Sequence, residues 1–183
     1  VKIFDVDDIK KYYDNITICK NKDGIDEFTF KDYKICENFI QKISKLWPRW
    51  TEDEDRLSMQ FIADIVKSMN LKGYITVDDL YKFSENEVIN LIENCEDIYI
   101  KEAFLKFRNA TKKDVYKSDS ANDKIYCTSV KGKKRYINPL VKYKDEVVRI
   151  KDVSESANRA INDFLNMKQH KYIGFNFEFK PYI

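Results

Sequence analysis

Four helix-start signals follow one another between Thr51 and Asp97, and they constrain the fold more than any other feature of the sequence. Thr51-x-x-Glu54, Thr76-x-x-Asp79 and Ser84-x-x-Glu87 are capping boxes. In each, a hydroxyl and an acid three residues on satisfy backbone N–H groups that the first helical turn leaves free. Asp97 is a fourth cap. Behind each cap, apolar residues recur at helical spacing. Leu57, Phe61, Ile62, Ile65, Val66 and Met69 follow the first, and Leu80 and Tyr81 the second. Val88, Leu91 and Ile92 follow the third, and Ile100, Phe104, Leu105 and Phe107 the fourth. Gly73 is suited to close the first of these helices. The caps keep no fixed period, so the segment reads as a compact helical region and not as a solenoid.

Upstream, Ile35, Phe39, Ile40, Ile43 and Leu46 predict one more helix, which Pro48 ends. Residues 7–13 predict a short helix. Residues 16–19 and 27–30 are β-prone and flank a polar turn at residues 21–24, so a small hairpin is expected. After Asn109 the pattern changes. Residues 111–123 read as a polar linker with a short strand at Val115 and Tyr116. Residues 125–130 and 135–137 are β-prone around a turn at Gly132, and residues 146–150 form another predicted strand. Ser154 can cap a helix carrying Ala157, Ala160, Ile161, Phe164 and Leu165. Residues 172–179 alternate and predict a closing strand. The expected class is α+β. A mainly helical part, residues 1–110, precedes a small α+β region, residues 111–183, with an antiparallel sheet, one packed helix and a basic hairpin.

Charge and composition narrow the chemistry. The 33 Lys and Arg residues against 31 Asp and Glu leave +2, which is not the field of a general nucleic-acid binder. Heavy use of Lys, Ile, Asn and Tyr is what an AT-rich genome encodes. No apolar run approaches the roughly 20 residues that span a bilayer. Residues 1–5 have neither a signal-peptide pattern nor an initiator Met, as expected of a fragment or a processed chain. Cys19, Cys36, Cys95 and Cys127 form no C-x-x-C pair and read as reduced, mostly buried thiols of a cytoplasmic protein. His170 is the single histidine, so the commonest general base and metal ligand is nearly missing. It follows a predicted helix end, where a cation favours the helix dipole. The glycines are isolated, so no phosphate-cradling loop exists.

Two acidic segments read as structure. Glu52, Asp53, Glu54 and Asp55 suit the first turn of a helix, where they complement the macrodipole. The stretch around Gly24 would place Cys19 and Phe30 at the first and twelfth positions of a calcium loop, and neither supplies a side-chain oxygen. The sharpest chemical feature is basic. Lys131, Lys133, Lys134 and Arg135 surround Gly132 between Tyr126 and Tyr136. Such a tip can hold nucleotide phosphates or a nucleic-acid backbone, or can be a solvated hairpin end.

The order of several segments resembles HD-domain phosphohydrolases. The likeness rests on residues 9–18 (Ile-Lys-Lys-Tyr-Tyr-Asp-Asn-Ile-Thr-Ile), on 27–32 (Glu-Phe-Thr-Phe-Lys-Asp), on Trp50 and on the helix of Leu57. It continues through residues 79–85 (Asp-Leu-Tyr-Lys-Phe-Ser-Glu), 129–136 (Ser-Val-Lys-Gly-Lys-Lys-Arg-Tyr) and 138–141 (Asn-Pro-Leu-Val). The part resembled is the one that follows the catalytic core. The resemblance implies a parent that binds a divalent metal through an H…HD…D ligand set and hydrolyses phosphate esters or nucleoside triphosphates, as deoxynucleotide triphosphohydrolases do. No His-Asp dipeptide occurs in this chain, so no ligand position carries over. The expectation is a C-terminal structural, oligomerisation or nucleotide-facing segment without its own cofactor. Lys131, Lys133, Lys134 and Arg135 would serve as anion contacts. Expected partners are the remainder of the parent catalytic domain, a nucleotide and a further copy of the chain, with no membrane. The alternative is a non-enzymatic protein-interaction or nucleic-acid-binding module, for which the aromatic strand at residues 172–179 could extend a partner's sheet.

Overall fold

The computed structural model describes residues 3–182, and the fold is α+β as expected. Along the chain run α1 (Val6–Asn15), β1 (Ile16–Lys20), β2 (Asp26–Phe30), α2 (Tyr33–Ile43), α3 (Asp53–Leu71), α4 (Val77–Lys82), α5 (Glu85–Glu93) and α6 (Ile98–Asn109). Then come β3 (Val115–Ser118), β4 (Tyr126–Thr128), β5 (Leu140–Tyr143), β6 (Glu146–Arg149), α7 (Ile150–Val153), α8 (Glu155–Asn166) and β7 (Tyr172–Phe175). No helix among the described residues is long and apolar enough to cross a membrane.

These elements sort into two compact units interleaved along the chain. Of the described residues, the first takes those up to Thr51 together with Lys133–Lys168, and the second takes Glu52–Gly132 with those from Gln169 on. The partition therefore runs along different lines from residues 1–110 and 111–183. Capping and periodicity are local signals, whereas the pairing that joins early and late segments is not.

In the first unit that pairing is between β2 and β5. The sheet order is β1-β2-β5-β6. The outer pairs are antiparallel, and β2 with β5 is parallel, matching Thr29 to Leu140 and Phe30 to Val141. The β1–β2 hairpin appears as predicted, and its turn is fixed by Asn21, whose Oδ1 accepts from the backbone N–H of Asp23 (2.8 Å) and Ile25 (3.0 Å). One core gathers Tyr12, Phe30, Ile40, Trp47, Val141, Ile150, Ile161 and Phe164. Ser154 caps α8 as the sequence indicates, and Asp32 caps α2.

The second unit packs α3–α6 against a three-stranded antiparallel sheet of order β3-β7-β4. The Thr76, Ser84 and Asp97 caps form as predicted. The Thr51 box does not. Glu52 precedes α3 without a side-chain cap bond, and Thr51 is buried in a 3-10 turn, its hydroxyl donating to Pro48 O at 3.3 Å. Gly73, at φ +79°, follows α3 in the left-handed conformation that its closing turn requires. Residues 111–123 are more than a linker, because β3 forms one edge of the sheet. The closing strand ends at Phe175, and the chain turns so that Phe177 and Phe179 face Phe61.

β7 is the central strand of its sheet, with a neighbour on each side, so it offers no free edge to a partner's sheet. Its close approach to β4 depends on Gly174. A methyl group there would collide with the Tyr126 carbonyl oxygen and crowd Cys127 Cα at 3.2 Å. Gly174→Ala is expected to destabilise the second unit by about 1–3 kcal/mol. A lower urea midpoint is the readout, and an unchanged midpoint would contradict the strand pairing.

Candidate functional site

The basic segment is not a hairpin. Among its predicted strands only Tyr126–Thr128 is one, and it pairs with β7, while residues 129–139 form no regular structure. The β-prone residues 135–137 therefore have no strand partner. Lys131 belongs to the second unit, and Lys133, Lys134 and Arg135 belong to the first. The four cations do not share a turn.

Their environments also differ. Lys134 is half-buried, and its Nζ donates to the carbonyl of Leu165 (2.5 Å) and to that of Met167. These carbonyls end α8, where backbone acceptors are unfilled and the helix dipole favours a cation. Lys134 is thus a helix stop and is not free for a ligand. Lys131, Lys133 and Arg135 are exposed, and no hydrogen bond or ion pair engages them among the described residues.

A second polar group, not anticipated from sequence, lies at the start of α3. Asp53 and Arg56 are buried, at 9% and 6% exposure. One nitrogen of the Arg56 guanidinium donates to Val130 O. Another donates to Asp53 Oδ1 and more distantly to His170 O (3.4 Å). The second Asp53 oxygen meets Nδ1 of His170. Burial works against the Asp53 charge, but the bonds from His170 and Arg56 outweigh it and hold the carboxyl below its usual range. The group binds together the residues beside Glu52, Gly132 and Gln169, the points where the chain enters or leaves this unit. A Cβ at Gly132 would lie 2.6 Å from Arg56 Cδ and 2.8 Å from Gln169 Nε2, so a larger residue there would have to displace those side chains.

His170 thus binds an acid in the first turn of α3 and does not cap α8. The expectation that residues 52–55 form that first turn holds for Asp53, Glu54 and Asp55. Their further roles divide: Asp53 is buried, and Glu54 pairs with Lys117 at 2.9 Å. One signal in the sequence pointed to Asp53. It precedes Leu57, Phe61 and Ile65 at four-residue steps, on the stripe that α3 buries.

The cysteines are free. Cys36 and Cys95 are buried, and Cys19 and Cys127 are half-buried. Burial pushes the Cys36 thiol up to about 12, which keeps it protonated and unreactive. The described residues contain no group of three or more His, Cys, Asp and Glu side chains placed to hold a metal ion. The HD ligand set does not fit this chain: its one histidine has Nδ1 against Asp53, and Lys171 follows it instead of an acid. Comparison with known proteins finds no matching family model, curated protein or solved structure.

Proposed function

We propose that this chain is the portion of an HD-type metal-dependent phosphohydrolase that follows the catalytic core, and that it faces a nucleotide instead of hydrolysing one itself. The observation that carries the reading is that Lys131, Lys133 and Arg135 are each exposed and have no partner among the described residues. A phosphate can bind such groups without first displacing a carboxylate, and Arg adds a bidentate donor pair. The segment likeness to HD enzymes supplies the family half of the reading. The divalent metal and its ligands would reside in the remainder of the parent protein, which is the principal partner. The compartment is the cytoplasm. Lys134 is left out of the anion contacts, because the carbonyls ending α8 already occupy it.

Calorimetric titration with GTP, dGTP and inorganic pyrophosphate tests the reading. The triple variant Lys131→Ala/Lys133→Ala/Arg135→Ala is expected to bind at least about tenfold more weakly, since each charge-assisted bond contributes on the order of 1 kcal/mol. Binding of the unmodified chain should weaken as salt screens these exposed charges. Equal affinity in the triple variant, or no binding by either protein, would overturn it. A nucleic-acid-binding module is the second reading, since the same free cations would serve a phosphate backbone. Tight, strongly salt-dependent binding of a single-stranded oligonucleotide with none of GTP would favour it.

A further inference from the structure

The second unit contains a cavity of about 870 Å³, within the range of small-molecule sites. Phe104, Ile92 and Phe175, all buried, form its inner end. Half-buried Ile62, Val88 and Ile89 extend that apolar wall. On α3, Glu54, Ser58 and Ile62 line one side at four-residue steps, so polarity rises toward the mouth.

At the mouth most charges are already answered. Glu54 pairs with Lys117, and Arg108 pairs with Glu93 at 2.6 Å. Glu85 stands in the first turn of α5, where the helix dipole favours an acid. Lys112 is exposed and has no hydrogen bond or ion pair among the described residues, although its charge is near enough to help lower the Glu54 carboxyl.

One wall is exposed. α4 buries none of its residues, and its Leu80 (40% exposed) lines the cavity together with Phe83 (37%), which follows the helix. Its ends are closed by its own bonds, the Thr76–Asp79 box and Phe83 N–H to Asp79 O at 2.8 Å. A ligand in the cavity would cover the apolar side chains that α4 leaves half in water.

We propose that this cavity binds an apolar acid, its hydrocarbon body against Phe104 and Ile92 and its carboxylate at Lys112. The proposal is independent of the cations at residues 131–135. Dodecanoate and its uncharged counterpart dodecanol are the probes, titrated into the whole chain and followed by calorimetry and by amide chemical shifts. Dodecanoate should bind more tightly than dodecanol, with shifts concentrated in α4, α5 and residues 108–112. Ser58→Trp, which fills the cavity, should abolish both. Lys112→Glu, on the surface, should weaken dodecanoate roughly tenfold while leaving dodecanol unchanged. Absence of binding by both probes overturns the site. So does binding that Ser58→Trp leaves intact, or shifts that map elsewhere. Equal binding of the two probes, unaffected by Lys112→Glu, overturns the assignment of an acid.

Discussion

Phe61→Ala is expected to destabilise the second unit by about 3–5 kcal/mol, because it removes the residue around which that core is organised. Phe61 is fully buried. Its ring lies 4.9 Å from the ring centres of Phe107 and Tyr126, 5.4 Å from Phe175, 5.5 Å from Phe179 and 5.7 Å from Phe177. Most of these contacts are edge-on, a geometry that adds to the area buried. The neighbours come from a helix, two strands and the closing segment, so no single element can collapse into the space left behind. Chemical denaturation followed by circular dichroism measures the loss. Trp47 and Trp50 both lie in the first unit, so their fluorescence reports on that unit separately. A loss below about 1 kcal/mol would mean that Phe61 does not hold the core together.

Arg56→Ala should cost a similar amount, about 3–5 kcal/mol, for a different reason. It leaves Asp53 buried without its guanidinium partner and frees the carbonyl of Val130. The charge is the expensive part. A paired replacement, Asp53→Asn with Arg56→Met, is therefore expected to recover much of the loss, since it removes both charges and keeps the volume. Acid provides an independent check. The folded Asp53 carboxyl titrates below its ordinary range, so its contribution is fully present above the unfolded value of about 3.9. That contribution is lost as pH falls through the lower, folded value. Without Arg56 the folded value rises, and protonation relieves the variant sooner. The stability gap between the two proteins should narrow on acidification from neutral pH. A gap independent of pH would place the cost in packing and not in the ion pair.

The elements were largely legible in the sequence, and their assembly was not. Thr76, Ser84, Asp97 and Ser154 announce their helices because a cap bonds to residues two or three positions away. Thr51 carries the same signal and fails, because burial in the turn after Trp47 turns its hydroxyl to other carbonyls. The interleaving of the units depends on Phe30 meeting Val141 and on Tyr116 and Cys127 both pairing with Gly174. No local pattern encodes those choices. The candidate site was legible only as composition. The run at residues 131–135 identified a cation-rich segment, but Lys134 is spent on a helix end that is distant in sequence. His170 could be placed only once the fold had brought it to Asp53.

The most direct test of the central claim pairs binding with turnover on the whole chain. Purified protein is incubated with a panel of nucleoside triphosphates and Mg²⁺ or Mn²⁺, phosphate release is assayed, and binding is measured in the same buffer. The account predicts saturable binding that depends on Lys131, Lys133 and Arg135, with no phosphate released above the protein-free control. Metal-dependent turnover by the chain alone, or the absence of nucleotide binding, would contradict it.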